Sequence, residues 1–226
     1  MSPSIIERDT LSYFLINLAR KRDGVCEETD SPNPLYTGLR ELVCSGDLSV
    51  LRSADEWEPV GKPYYLFILI DYYLLLHRLN FDAAFMVYEW LRDSYERHPY
   101  TFDLDEKCGL RILGEVVSRY AKMHGNGIHG SKLEEIARDV EKVQCPPNGW
   151  GIIFKAIVLS HLYKDKKEKS RLLESILDKI RNMGVMVVDE DVAKAYNLVV
   201  PKWDSSVIVF LDKVSMGLRD TRTRVM

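Results

Sequence analysis

Apolar residues along this chain recur three and four positions apart far more often than they alternate, which is the spacing of helices that bury one face. The stripe Leu11, Phe14, Leu15 and Leu18 predicts a first helix over Thr10 to Arg20. Arg20, Lys21 and Arg22 near its C-terminal end suit the helix dipole, and Gly24 is the expected stop. A short helix around Leu35 to Cys44 follows a loop carrying Pro32 and Pro34, and a second loop runs from Ser45-Gly46-Asp47 through Pro59, Gly61 and Pro63. Helices are then expected at Tyr64 to Leu79 and, capped by Asp82 and ended by His98-Pro99, at Ala83 to Arg97. Leu104 to His124, Lys132 to Val143 (capped by Ser131), Trp150 to Tyr163 and Glu168 to Met183 continue the series. Asp189 to Leu198 and Ser205 to Met216, on either side of Pro201, precede an arginine-bearing tail.

Three helix pairs begin near Pro63, Leu104 and Trp150, a spacing of about 40 to 46 residues that falls among the periods of helical repeats. In each pair the first helix is rich in large apolar side chains and the second is more amphipathic. Such hairpins cannot bury their faces alone, so they stack. The expected fold is all-α, a short right-handed α-solenoid of stacked antiparallel helix pairs. Residues 1–60 form an N-terminal helical cap or degenerate repeat, 61–200 the hairpin repeats, and 201–226 a C-terminal capping helix and frayed tail.

The segment Leu74-Leu75-Leu76-His77-Arg78-Leu79-Asn80-Phe81-Asp82-Ala83 through Tyr88-Glu89-Trp90-Leu91 resembles the hairpin of a pentatricopeptide repeat. Ser170 through Glu174 with Lys179 through Val185 is similar to that repeat's second helix, and Arg119 through Gly125 to the end of a first helix. The resemblance implies binding of single-stranded RNA in an organellar setting, or a scaffold role, without assigning base contacts to particular residues. A competing resemblance is to the Bcl-2 family. Leu110-Arg111-Ile112-Leu113-Gly114-Glu115 looks like a BH3 core, Asn148-Gly149-Trp150-Gly151 is similar to BH1 with Ile152 in place of its arginine, and Lys202-Trp203-Asp204 with Val207 and Phe210 resembles BH2. That family implies a groove for an amphipathic helix of a protein partner and a role in apoptosis.

Charge changes the picture little: 31 Lys plus Arg against 34 Asp plus Glu among 226 residues leave −3, so no global positive field advertises nucleic acid. With 46% hydrophobic residues the chain is a core-forming one rather than a disordered one. Cys26, Cys44, Cys108 and Cys145 lack the patterned spacing of zinc sites or disulfide scaffolds and read as separate, reduced, packed thiols. The most apolar run, Tyr64 to Leu76, is too short for a membrane span of about 20 residues, so no membrane insertion is expected. The N-terminus lacks a secretory or organellar leader pattern, which suggests an intracellular protein, mitochondrial or cytoplasmic.

Candidate chemistry is sparse. Gly125-Asn126-Gly127-Ile128-His129-Gly130 matches a phosphate-loop spacing, but a helix precedes it where a strand is needed, so it reads as a connecting loop. His124 and His129 read as loop histidines, and His77 and His161 as residues favouring helix C-termini. Glu27-Glu28, Glu134-Glu135 and Asp189-Glu190-Asp191 read as solvated acids rather than an acid–base pair. Tyr64, Tyr65, Tyr72, Tyr73, Trp90, Trp150 and Trp203 fall on apolar stripes and are expected in the core. No nucleophile motif occurs, so no enzyme activity, cofactor, metal or small-molecule substrate is expected. The one binding feature is the basic turn of Lys164, Lys166, Lys167, Lys169 and Arg171, where lysines could meet RNA phosphates.

Overall fold

A computed structural model describes residues 10–182, except 12, 16, 19–20, 29–31, 61, 124–129, 147–149 and 164. The expected helices at Asp189 to Leu198 and Ser205 to Met216, and the 201–226 cap, lie outside the described residues. Among those described every regular element is helical and no strand occurs, so the fold is all-α.

The first helix, α1, whose described residues lie between 10 and 18, buries Leu11, Phe14, Leu15 and Leu18 as its stripe predicts. A 3-10 turn (Arg22–Glu27) leads to α2 (Pro34–Ser45). Asn33 starts α2 by accepting from the Leu35 and Tyr36 amides at 3.0 and 3.2 Å, with Pro34 preset at the first helical position. Gly46 ends it with φ of 79°, the left-handed backbone that glycine adopts without strain. The expected loop after it contains a further short helix, α3 (Ser49–Asp55), because Asp47 accepts from the Ser49 amide at 2.8 Å and Val50, Leu51 and Ala54 reach the core.

α4 (Tyr64–Tyr73) is buried at every position except Tyr65. It does not run straight to Leu79 as expected. Leu74–Arg78 widen into a π-helical turn that closes on Leu79 in the left-handed region, with φ of 51°. α5 (Phe81–Arg97) is capped by Asn80 rather than Asp82: the Asn80 side chain accepts from the Ala83 amide at 3.1 Å, while Asp82 already lies in the first turn. α6 (Leu104–Met123), α7 (Gly130–Lys142), α8 (Trp150–Leu162) and α9 (Lys166–Asn182) follow. α7 opens at Gly130, so Ser131 is inside it rather than before it.

α4, α6 and α8 lie side by side, α5 packs on α4 and α6, α7 packs on α6 and α8, and α9 packs on α8. Their aligned N-termini meet at one group of acids on α6. Asp103 and Glu106 cap each other's backbone at the start of α6, Glu106 N donating to Asp103 Oδ1 at 2.7 Å and Asp103 N to Glu106 Oε2 at 3.1 Å. Glu106 Oε1 also accepts from Tyr65 N of α4 at 3.1 Å, and Asp105 Oδ1 accepts from Gly151 N of α8 at 2.9 Å. Carboxylates suit this place because three helix N-termini bring partial positive charge together. Gly109 lets the helices approach closely: a Cβ there would lie 2.9 Å from the Trp150 ring.

The cysteine expectation is corrected. Cys26 pairs with Cys44 and Cys108 with Cys145, with Cα separations of 5.7 and 5.2 Å. The partners are 18 and 37 residues apart, and only the return of each helical segment on its neighbour brings them together.

Candidate functional site

The basic turn is built by a cap. Asp165 Oδ1 accepts from the Lys167 and Glu168 amides at 2.7 and 3.0 Å, which starts α9 and projects its first residues into solvent. Lys166 and Lys167 are exposed, Lys169 is half-buried, and Lys164 lies outside the described residues. Arg171 is exposed but folded back on α9, where its Nη2 and Nε donate to Glu168 Oε2 at 2.8 and 3.2 Å. The five expected cations therefore do not act alike: Arg171 is matched locally, and Lys166 and Lys167 face water.

Against this turn lies a cavity of about 260 Å³ between the end of α7, α8 and α9. Its apolar lining is Ile152, Leu159 and Leu172. Its polar lining is Glu141, Lys155, Tyr163, Glu168, Arg171 and Ser175. Lys155 is held by Nζ bonds of 2.7 Å to the carbonyls of both Glu141 and Val143, so it closes the C-terminal end of α7. The Tyr163 hydroxyl donates to Glu141 Oε1; burial first, and that carboxylate second, push the phenol up to about 12. Tyr163 thus stays protonated at neutral pH and orients Glu141. The second oxygens, Glu141 Oε2 and Glu168 Oε1, accept from no described residue. Two carboxylates and two cations leave the lining formally neutral, with donors and acceptors both present. Such a surface binds a neutral polar group better than an ion.

Among the described residues of the basic turn, Arg171 is the one that sequence reasoning places at the site and the cavity also uses. Sequence reasoning does not single out Glu141, Lys155 or Tyr163. Lys155 carries a signal all the same, as a lone cation within the otherwise apolar Trp150–Leu162 helix.

The other candidates take structural places. Tyr64, Tyr72, Tyr73 and Trp150 are buried, Tyr65 and Trp90 half-buried, and Trp203 lies outside the described residues. The Tyr72 hydroxyl meets His161 Nδ1 at 2.8 Å, and His77 stacks on Tyr73 with centroids 5.0 Å apart. Glu28 pairs with Lys21 and accepts from the Tyr36 hydroxyl at 2.7 Å, while Glu134 and Glu135 are exposed on α7. His124, His129, Asn148, Gly149, Asp189 to Asp191 and the Lys202 segment lie outside the described residues, as does the glycine-rich loop up to His129. Of the BH3-like stretch, Leu110, Ile112 and Leu113 are core residues of α6.

Of two buried acids, Asp71 shows in the sequence as the one charge interrupting the apolar run Tyr64 to Leu76, while Glu106 carries no signal. Asp71 is completely buried on α4, neither oxygen has a hydrogen-bond partner among the described residues, and burial raises its carboxyl well above the ordinary range. Glu106 is pushed up to about 7, by burial first and Asp103 second, against the two amide bonds that favour its anion; burial also raises Asp105. Among the described residues no helix is long and apolar enough to cross a membrane. Comparison with known protein families, curated proteins and solved structures finds no match.

Proposed function

We propose that this chain is a non-catalytic recognition protein, a short right-handed solenoid of stacked helix pairs that binds single-stranded RNA at the α9 turn. The carrying observation is the pairing of exposed Lys166 and Lys167 with the adjacent neutral, partly apolar cavity. Cations that track phosphates beside a surface that accepts bases are the two parts single-strand binding needs. The packing order supports the repeat reading, since first helices α4, α6 and α8 adjoin one another and α5 and α7 each bridge to the next pair. The polar groups at the cavity are held by one another or by backbone carbonyls, an arrangement suited to binding. Two disulfides suit an oxidising compartment better than the reducing cytosol, and such a location is part of the proposal.

The test is fluorescence anisotropy with labelled single-stranded RNA between about 50 and 200 mM salt. Binding should weaken as salt rises, and Lys166→Gln, Lys167→Gln and Lys169→Gln together should lower both the affinity and the salt slope. Each lost phosphate contact flattens that slope by about 0.7 for a single strand. Absence of saturable RNA binding, with crosslinking in cells that captures proteins alone, would replace this reading with a scaffold for a protein partner.

A further inference from the structure

Resting on the RNA reading, we infer that the α7–α8–α9 cavity is a pocket for one unstacked base, that it takes guanine, and that it disfavours uracil. At about 260 Å³ the cavity is smaller than the roughly 300 to 1,000 Å³ of sites for drug-sized ligands, which fits a single ring system. Ile152, Leu159 and Leu172 offer apolar contact to a flat face. The formal charges of Glu141, Glu168, Lys155 and Arg171 cancel, so the pocket itself does not require an ion, while Lys166 and Lys167 outside it suit the phosphates on either side.

The choice of base follows from which atoms remain available. Glu141 Oε1 is taken by Tyr163 and Glu168 Oε2 by Arg171, which leaves Glu141 Oε2 and Glu168 Oε1 as acceptors. On Arg171, Nε and Nη2 are engaged and Nη1 has no partner among the described residues, leaving a donor. Guanine presents two adjacent N–H donors on its Watson–Crick edge, for which Glu141 Oε2 and Glu168 Oε1 are the acceptors at hand, and an O6 acceptor that suits Arg171 Nη1. Uracil offers one ring N–H between two carbonyl oxygens, so a carboxylate facing that edge meets acceptors on both sides of the single donor.

The experiment measures the affinity of the full chain for a nine-nucleotide oligouridine and for the same strand with guanosine, adenosine or cytidine at its centre. Guanosine should bind tighter than uridine by about ten- to a hundredfold, the size of a base contact made through a pair of hydrogen bonds. Glu168→Gln and Glu141→Gln should each shrink that ratio, by weakening the guanosine strand and by relieving the repulsion that disfavours uridine, and an unchanged ratio in both variants would overturn the pocket. Ser175→Trp, which fills the cavity from an exposed position on α9, should abolish the ratio without disturbing the core. Equal affinity for all four strands, with binding still weakened by the lysine substitutions, would overturn the pocket and keep the RNA reading. A preference for adenosine or cytidine would overturn guanine. No binding to any strand would overturn both.

Discussion

Glu106 joins two helices through one carboxyl, and its titration should be visible in the stability of the whole protein. It is 5% exposed and receives the Tyr65 and Asp103 amides, yet burial wins over those bonds and its carboxyl is raised from an ordinary 4.5 to about 7. A raised carboxyl means that the folded chain holds a proton which the unfolded chain releases. The contribution to stability is therefore full below pH 4.5, declines as pH rises through about 7, and is absent above that. At about 1.4 kcal/mol per pH unit the decline amounts to about 3 kcal/mol. Glu106→Gln removes the titration but turns an amide nitrogen toward one of the two donors, a loss of about 1 kcal/mol at low pH. Urea denaturation of both proteins at intervals from pH 4.5 to 9 should show the wild type more stable at the acid end. The two curves should then cross, with the variant the more stable by about 2 kcal/mol at the alkaline end. The difference between the two curves cancels the titrating groups remote from Glu106 and leaves Glu106 with Asp103 and Asp105, the neighbours that feel its charge. Parallel curves would refute the burial argument, because they would mean that Glu106 ionises alike in both states.

Replacing Asp71, which has no hydrogen-bond partner among the described residues, with an apolar residue of the same branched outline, Asp71→Leu, should stabilise the fold by about 1 to 3 kcal/mol, read as a higher Tm at pH 7; a lower Tm would refute the reading of this carboxyl as a net cost to the fold. Cys108→Ser with Cys145→Ser opens a 37-residue loop and should cost about 2 to 4 kcal/mol, more than opening the 18-residue loop of Cys26 and Cys44. Denaturation of both pairs without reductant checks the order, and thiol labelling of the unfolded wild type should find no free sulfhydryl among the four.

Periodic patterns alone make the helices legible. The stripes at Leu11 to Leu18 and along Trp150 to Tyr163 appear as helices with the expected residues buried. Local rules fail where two of them compete. Asn80 and Asp82 could both cap α5, and only the backbone entering the helix decides which side chain faces the free amides. Likewise α3 hides in a polar stretch, since seven residues carry too little periodicity to stand out. The basic turn is legible as a cluster of charges, but its division is not: Arg171 reaches Glu168 three residues away, while Lys166 and Lys167 lie in the first turn of α9 and stay in water.

The sequence alone determined that the described residues are helical, where most of the breaks fall, and which faces of the helices must be covered, because those properties depend on neighbours within a few residues. Tertiary structure decided everything that joins distant positions. Disulfide partners 18 and 37 residues apart, Glu106 capping Tyr65, Asp105 capping Gly151, and Glu141 meeting Tyr163 each require helices to pack in a particular order. The same packing sets the burial that raises Glu106 and Asp71, and the space left between α7, α8 and α9. Periodicity states that a face is buried; the neighbours it is buried against, and the chemistry they create, come from long-range packing.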